Sequence, residues 1–133
     1  MKWTEVTVPT GARVQLVDVS QKAAEVVAAS GVKNGTCYLY VPHTTAGITI
    51  NENADPDVVT DIINGLERFV PARGDYRHAE GNSDAHIKAS LMGFSCMVPI
   101  VDSHLALGTW QGIYFCEFDG PRRRKMLIGV SGD

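Results

Sequence analysis

The strongest constraint on the fold is one amphipathic helix in a chain whose other segments are mostly strand-forming. Asp55 followed by Pro56 marks the start of this helix, because aspartate accepts backbone hydrogen bonds at an N-cap and proline fits the first turn. The helix is expected to end before Pro71, since proline cannot continue it. Its apolar side chains recur at the i, i+3, i+4, i+7 spacing and predict one face packed on a core: Val59, Ile62, Ile63 and Leu66.

Strand patterns lie on both sides of this helix. Residues 4–8 and 13–18 alternate polar and apolar side chains, and the turn residues between them predict a β-hairpin. Further strands are predicted at residues 36–41, 47–51, 96–101, 113–118 and 125–130.

Two shorter helices complete the pattern. One is predicted from a cap at Ser20 to a stop at Gly31, and the other begins at Ser83 or Asp84. About seven strands and three helices favour one α+β domain over residues 1–133, with a mixed or antiparallel sheet that the helices partly cover.

Composition limits the class of protein. A chain of 133 residues buries roughly two-thirds of its unfolded surface, so its core needs no disulfide or metal. The net charge of −3 argues against general nucleic-acid binding. No apolar run approaches the roughly 20 residues of a membrane span, and the polar alternation of the first residues predicts a strand, so neither a membrane helix nor a signal peptide is expected. Cys37, Cys96 and Cys116 lie in apolar runs and are expected to be buried free thiols in a cytoplasmic protein.

Two of the four histidines lie on either side of a turn in the segment HAEGNSDAHIKASLMG. The turn at Gly81 can bring His78 back towards His86, which falls in the first turn of the third helix. The positive helix end disfavours a charged imidazole, so His86 is expected to be neutral and able to bind a metal or accept a proton. Phosphate can also bind the N–H groups of such a helix start. The spacing is no standard zinc signature, so purely local hydrogen bonding remains the alternative.

A third histidine follows a strand in the segment VPHTTAG. If His43 meets His78 and His86, three neutral imidazoles provide the usual ligand set of a catalytic divalent metal, and sequence leaves open whether they meet. Glu80 is either an acid/base group or a partner that orients a histidine. His104 lies in a predicted turn and is expected to have a plain surface role.

Charged segments at two other places each have two interpretations. Glu52, Asp55 and Asp57 offer oxygen ligands for Mg²⁺, but the two aspartates are better explained by the start of the helix. The run PRRRK at residues 121–125 is either a phosphate clamp or subunit contact, or an edge strand protected by its charges.

Three long segments together resemble the YjbQ-like family, also called the secondary thiamine-phosphate synthase family. They are PHTTAGITINENADPDVVTDI, YRHAEGNSDAHIKASLMG and LALGTWQGIYFCEFDGPRRR, and they cover nearly the whole chain in the family's order. The resemblance implies a compact, sandwich-like α+β domain that assembles as a homotrimer. It also implies a polar pocket at the histidine motifs, at or near a subunit interface.

The resemblance implies a set of site residues. Catalysis and metal binding fall to His43, His78 and His86, with Glu80 as a further catalytic residue. Substrate binding falls to the remaining positions of the motifs: Thr44, Asn51, Glu52, Asn82, Trp110, Gln111, Arg122 and Arg124. His104 departs from the family pattern, which has glycine in that turn.

The activity implied is weak thiamine phosphate synthesis, in which a thiazole phosphate displaces pyrophosphate from a pyrimidine. Departure of pyrophosphate needs positive charge, which Arg122, Arg124, Lys88 and the helix start can supply. Zn²⁺ or Mn²⁺ at the histidines, or Mg²⁺ arriving with the pyrophosphate, is the expected cofactor. A small phosphorylated substrate is the expected partner, with no nucleic acid and no membrane. Metal-assisted hydrolysis of a small phosphate or ester, and a non-enzymatic trimer that binds a metal or ligand, remain alternatives.

Overall fold

Two antiparallel sheets and three helices form the structure, a computed structural model that describes residues 1–133. Along the chain they are β1 Lys2–Pro9, β2 Gln15–Asp18, α1 Ser20–Ser30, β3 Gly35–Tyr40, β4 Ala46–Glu52, α2 Pro56–Phe69, α3 Ser83–Met92, β5 Ser95–Val101, β6 His104–Leu105, β7 Gln111–Glu117 and β8 Arg123–Gly132. The five-stranded sheet has the order β1-β8-β3-β5-β6, and the three-stranded sheet has the order β2-β7-β4. The predicted α+β class with antiparallel sheets is therefore confirmed.

The main hydrophobic core lies between the two sheets. Ile113 and Phe115 enter it from the three-stranded sheet, and Leu39 and Ile128 enter it from the five-stranded sheet. Val27 of α1 is buried in the same cluster, so this helix closes the core. The inward positions alternate along each strand, as expected for sheets with one face in a core.

A second core lies on the other face of the three-stranded sheet, under α2 and α3. Phe118 and Cys116 are fully buried there against Ala85 and Ala89 of α3. The predicted apolar stripe of α2 packs on this cluster through Val59, Ile62, Ile63 and Leu66. The predicted cap of α2 is also confirmed, because the Asp55 carboxylate accepts a hydrogen bond from the Asp57 N–H at 2.9 Å.

The predicted hairpin of the first two strands is wrong. β1 pairs with β8 in the five-stranded sheet, and β2 pairs with β7 in the three-stranded sheet. The segment between them crosses from one sheet to the other, and the Thr10 N–H donates to the Arg122 carbonyl at 2.9 Å on the way. Alternation of side chains identifies a strand and its inward face, but it does not identify the strand's partner.

Ser20 is not the cap of α1 that the sequence predicts. Val19 occupies the N-cap position, and Ser20 is the first helical residue. The Ser20 hydroxyl oxygen accepts a hydrogen bond from the Ile113 N–H at 2.8 Å, which ties α1 to β7. The C-terminal prediction is confirmed, because Gly31 ends the helix with a left-handed φ of 72°.

His104 lies on the surface, as predicted. Asp102 and Ser103 have φ values of 51° and 68°, the left-handed pair that suits a two-residue hairpin turn. This turn pairs His104 with Val101 and creates β6, an eighth strand too short for its pattern to be recognised in the sequence.

The three cysteines are free thiols, and Cys37 and Cys116 are buried. Burial raises the pKa of Cys37 to about 11 and that of Cys116 to about 12, so neither is a thiolate near neutral pH. None of the three helices is long and apolar enough to cross a membrane.

Three pieces of chain meet at one end of the two sheets and form the surroundings of the site. They are the β3–β4 connection, the β7–β8 connection and the start of α3. The Phe118 N–H donates to the Thr45 carbonyl at 3.2 Å and joins the two connections. The Asn82 side-chain amide donates to the Asp119 carboxylate at 2.9 Å and joins α3 to the second connection.

Candidate functional site

A polar cavity of about 490 Å³ lies where these three pieces meet. Pro42 is the only one of its lining residues without a polar side chain. Eight of the residues predicted for the site line it: His43, Thr44, His78, Glu80, Asn82, His86, Arg122 and Arg124. Thr45 and Asp119 complete the lining.

His78 and His86 face each other in this cavity, as the turn at Gly81 predicts. Their ring centroids are 5.4 Å apart and the rings are nearly perpendicular. Gly81 permits the reversal with a φ of 77°, a value that side chains disfavour. The nearest carboxylate is that of Glu80, 3.8 Å from His78 Nε2, and both side chains are exposed to solvent. The two imidazoles therefore keep their ring nitrogens available for a ligand.

His43 is held in one protonation form by the backbone. Its Nε2 accepts a hydrogen bond from the Lys125 N–H at 3.0 Å. Burial, together with the positive charge of Arg124, lowers the pKa of His43, so the ring is neutral near pH 7. A neutral imidazole that accepts at Nε2 carries its proton at Nδ1. His43 therefore offers an N–H donor as its remaining polar group.

This arrangement does not fit the three-histidine metal centre predicted from the sequence. A metal needs a ring nitrogen with a free lone pair, whereas the Nε2 lone pair of His43 is used by Lys125 and its Nδ1 carries a proton. The chain holds no group of three or more histidine, cysteine, aspartate or glutamate side chains placed to hold a metal ion. The imidazoles of His78 and His86 are the two in this cavity whose ring nitrogens are not hydrogen-bonded within the chain.

Arg124 is a buried arginine with one edge left for a ligand. Its Nε donates a hydrogen bond to the Glu117 carboxylate at 2.8 Å. Its Nη2 donates hydrogen bonds both to Glu117 and to the Thr45 hydroxyl oxygen. Its Nη1 makes no hydrogen bond within the chain, and Arg124 lines the cavity. Fixed guanidinium groups with a free edge are well suited to phosphate and carboxylate oxygens.

Glu117 holds Arg124 in this orientation. The glutamate is fully buried, and it also accepts from the Thr10 hydroxyl at 2.7 Å and the Asp119 N–H at 3.1 Å. Burial alone would raise the pKa of Glu117, but the hydrogen bonds from Arg124 and Thr10 outweigh it and hold the pKa below its ordinary value. The pair is therefore ionised, and every oxygen of the Glu117 carboxylate is hydrogen-bonded, which helps the fold to tolerate a buried ion pair.

Arg122 and Asn82 share one carboxylate oxygen. Arg122 Nη2 donates to Asp119 Oδ2 at 3.0 Å, and Asn82 Nδ2 donates to the same oxygen at 2.9 Å. Because only the nitrogen of the amide can donate to a carboxylate, this bond fixes the orientation of Asn82. The Asn82 Oδ1 is then buried and accepts no hydrogen bond from the protein.

The family model of the UPF0047 protein YjbQ-like family matches residues 4–133. The chain belongs to this family. It is 53% identical over 126 residues to UPF0047 protein MJ1081 of Methanocaldococcus jannaschii, with 95% of this chain and 91% of that relative covered. It is 45% identical over 126 residues to UPF0047 protein YugU of Bacillus subtilis, with 94% and 96% covered.

Solved structures of YjbQ-like proteins have the same fold. A conserved YjbQ/UPF0047 protein from Clostridium acetobutylicum is 52% identical, with a TM-score of 0.95 over 96% of this chain and 99% of that chain. The hypothetical protein APE1520 from Aeropyrum pernix K1 is 37% identical, with a TM-score of 0.95 over 100% of both chains. The family membership implied by the sequence motifs is therefore confirmed.

Lys88 does not line the cavity of this YjbQ-like chain, although the sequence makes it a candidate for phosphate binding. Its side chain is fully buried, and its ammonium donates to Glu67 at 2.7 Å and to Asp84 at 3.0 Å. Arg13 bonds the other side of Asp84. Burial would raise the pKa of Asp84, but the bonds from Arg13 and Lys88 lower it overall. This ion cluster anchors α3 to α2, and the Lys88 ammonium is not available to a ligand in the cavity.

Four other predicted residues lie at the far end of β4 and β7: Asn51, Glu52, Trp110 and Gln111. β4 places Ala46 opposite Glu117 at the cavity and Glu52 opposite Gln111 at the other end. Six residues of extended strand separate these ends, a distance of about 20 Å. Trp110 is 62% exposed, and within one chain these four residues do not line the cavity.

Several residues that build the site were not singled out from the sequence: Thr10, Thr45, Glu117 and Asp119. The two acids precede the arginines in the segment EFDGPRRR, and opposite charges so close together offer a signal for internal ion pairs. Thr10 carries no such signal, because it reaches Glu117 from 107 residues away.

Proposed function

We propose that this YjbQ-like protein is an enzyme that acts on a small phosphorylated molecule in the polar cavity. The observation that carries the proposal is the placement of two unengaged imidazoles, His78 and His86, in the same cavity as two anchored arginines. Arg122 and the free edge of Arg124 bind the phosphate. His78 and His86 move protons to and from the reacting groups, since imidazole exchanges protons readily near neutral pH.

The phosphate site combines charge with rigidity. Asp119 holds Arg122 and Glu117 holds Arg124, so both guanidinium groups are oriented before the ligand arrives. The Nδ1–H of His43 adds a neutral donor beside them. Donors that are fixed in advance stabilise developing negative charge without reorganisation during the reaction.

Thiamine phosphate synthesis, which the family resemblance implies, fits this site as a side activity. The arginines can neutralise a departing pyrophosphate, but Pro42 is the only apolar side chain in the cavity lining, and no phenylalanine, tyrosine or tryptophan lines it to receive the two flat heterocycles. Trp110 lies at the far end of the sheet, and the Tyr76 hydroxyl is bound to the Pro71 carbonyl at 2.6 Å. The physiological substrate is therefore more polar than the thiamine precursors.

Hydrolysis of the same class of substrate is the second candidate reaction. The polar lining favours it, because water enters such a cavity without loss of hydrogen bonds. In this reaction one histidine takes a proton from the attacking water and the other protonates the leaving alcohol. Product analysis in the presence and absence of an alcohol or thiazole acceptor separates hydrolysis from transfer.

We also propose that copies of this chain associate as a homotrimer through the outer face of the five-stranded sheet. This face is uncovered, and it exposes a group of large apolar side chains: Trp3, Tyr40, Met97 and Val101. The rings of Trp3 and Tyr38 are neighbours on it, with their centroids 6.5 Å apart and their planes tilted by 51°. Exposed apolar patches of this kind mark association surfaces. Light scattering should give three times the chain mass, and Tyr40→Glu with Met97→Lys should lower it.

The test of enzymatic function compares His78→Ala and His86→Ala with His104→Ala as a matched control. His104 is exposed and does not line the cavity. Each cavity variant should lose about 10²–10⁴-fold in turnover of p-nitrophenyl phosphate or of the two thiamine precursors, and the control should keep full activity. Full activity in folded His78 and His86 variants would refute the proposed roles. Stoichiometric phosphate binding without turnover would instead favour a non-enzymatic, ligand-binding protein.

A further inference from the structure

The two free imidazoles of the cavity lie close enough together to act on one phosphorus atom. The ring centroids of His78 and His86 are 5.4 Å apart, and neither ring makes a hydrogen bond within the chain. Displacement at phosphorus places the attacking and leaving atoms on opposite sides of it. If water is the attacking group, it stands between one imidazole and the phosphorus, and it adds one hydrogen bond of about 2.8 Å to the distance that the two rings must span.

Glycoside hydrolysis shows how such a separation distinguishes two mechanisms. Its two catalytic carboxyl groups lie about 5 to 5.5 Å apart where one of them attacks the substrate itself, and about 6.5 to 9.5 Å apart where water lies between. The same reasoning applies to two imidazoles at a phosphate ester, because one group serves the attack and the other protonates the leaving oxygen. The separation of His78 and His86 corresponds to direct attack by one imidazole.

His86 is the imidazole tied more closely to the phosphate site. The His86 N–H donates to the Asn82 carbonyl at 3.3 Å, so one turn of chain separates the two residues. The Asn82 amide bonds the Asp119 oxygen that also holds Arg122. These bonds fix the start of α3, and with it His86, against the arginine that binds the phosphate.

His78 is the imidazole suited to supply the proton. A proton donor carries a positive charge, and the Glu80 carboxylate lies 3.8 Å from His78 Nε2, where it can compensate that charge. His86 forms no ion pair with an acidic side chain, so its neutral ring keeps a lone pair for attack. The His78 side chain is also 44% exposed, which allows it to exchange protons with solvent between turnovers.

We infer that His86 is the nucleophile of a phosphoryl transfer that passes through a phosphohistidine, with His78 as the proton donor. In the first step a ring-nitrogen lone pair of His86 forms a bond to phosphorus. The bond between phosphorus and the ester oxygen breaks, and that oxygen keeps the electron pair and takes a proton from His78. In the second step His78 takes a proton from water or an acceptor alcohol, whose oxygen bonds phosphorus. The electron pair of the N–P bond then returns to His86.

This inference rests on the proposed function for the phosphate site, and it gives His86 a covalent role in place of proton transfer. The test traps the phosphorylated chain in the intact protein. p-Nitrophenyl phosphate and acetyl phosphate have leaving groups that depart without a proton, so His78→Ala should complete the first step. Once the phosphate donor is removed, the phosphorylated form should persist about 10²–10⁴-fold longer in His78→Ala than in wild-type protein, because the second step lacks its base.

Mass spectrometry of samples quenched in alkali should show one phosphoryl group per chain, and peptide mapping should place it on His86. The group should survive alkali and be lost in mild acid, as is usual for phosphohistidine. The double variant His78→Ala/His86→Ala should carry no phosphoryl group, and His104→Ala should behave as wild type. His78→Gln replaces His78→Ala if the alanine variant does not fold.

An acid-stable phosphoryl group on Thr44, or an alkali-labile one on Glu80, would overturn the inference, because both side chains also line the cavity. So would the absence of any phosphorylated chain with both donors in protein that binds inorganic phosphate. That result would leave the phosphate site and direct attack by water in place. Failure to bind inorganic phosphate would overturn the proposed function itself, and the inference with it.

Discussion

His43 Nε2 accepts a hydrogen bond from the backbone N–H of Lys125 at 3.0 Å. This single bond joins the β3–β4 connection to β8, and it decides which nitrogen of His43 carries the proton. A side-chain partner can be removed by mutation or by titration, but a backbone N–H donates at every pH. The histidine that follows the strand in the sequence is therefore a fixed donor, whereas the other two histidines of the cavity are free.

The tautomer of His43 is the first prediction. Nitrogen NMR of labelled protein at pH 7 should show His43 neutral with its proton on Nδ1, because Nε2 is occupied by Lys125. His78 and His86 lack such a bond, so each ring should exchange between its Nδ1–H and Nε2–H tautomers. An Nε2-protonated His43 would show that the bond to Lys125 does not form in solution.

The pH dependence of stability follows from the same residue. Burial and the charge of Arg124 lower the pKa of folded His43 below its ordinary 6.5. The unfolded chain then takes up a proton that the folded chain resists, so the free energy of unfolding should fall as pH drops through 6.5 and below. His43→Gln should remove this part of the pH dependence in urea titrations, and His104→Gln should keep it. An unchanged profile in His43→Gln would contradict the shift.

Metal affinity tests the ligand set directly. Zinc binding by wild-type protein, measured by competition with a chelator, should change by less than about threefold in His43→Gln, because this histidine has no free lone pair. His78→Ala and His86→Ala should remove whatever zinc binding the protein has. A loss of about 100-fold in zinc affinity in His43→Gln would support the three-histidine metal centre and refute the assigned tautomer.

Arg124→Lys should weaken binding of inorganic phosphate by roughly tenfold or more. Lysine cannot bond both oxygens of Glu117 and still present a free edge to the cavity. Arg123→Lys is the matched control, because Arg123 is the exposed neighbour on the same strand. Calorimetric titration of both variants checks the prediction, and equal affinities would show that charge alone, without the fork geometry, holds the phosphate.

Lys88→Met should lower the free energy of unfolding by about 3 kcal/mol, because it leaves the buried Asp84 with a single partner. Arg13→Met should cost less, since the Arg13 side chain is 40% exposed. Guanidinium unfolding measures both changes. Phosphate affinity of folded Lys88→Met should be unchanged, and its loss without a loss of stability would place Lys88 at the phosphate after all.

Sequence reasoning named three histidines that line one cavity, because each of them carries a local signal. His78 and His86 flank a glycine turn before a helix, and His43 follows a strand. Each therefore lies at or near the end of a helix or strand, where connections of the chain meet. The partners of these residues have no local signal. The contacts of Thr10 with Glu117 and of Asn82 with Asp119 depend on strand order, which alternation of side chains does not specify.

Lys88 is the opposite case, a residue that the sequence predicts for the site and that does not line the cavity. The sequence predicts Lys88 as a cation for the departing pyrophosphate, but its ammonium is bonded to acids from α2 and from its own helix one turn earlier. Only the packing of the two helices decides that this ammonium is buried. The first two strands also depend on packing. The alternation of their side chains predicts both strands correctly, but the predicted pairing of one with the other is wrong.

The bonds of Thr10 to Glu117 and Arg122 span 107 and 112 positions of the chain. The strand that carries Arg124 is β8, which lies between β1 and β3, so its insertion both completes the five-stranded sheet and brings Arg124 to the cavity. A growing chain on the ribosome therefore cannot form the proposed phosphate site until β8 is inserted. The proposed phosphate binding should accordingly be found in the complete fold and be absent from a fragment that lacks β8.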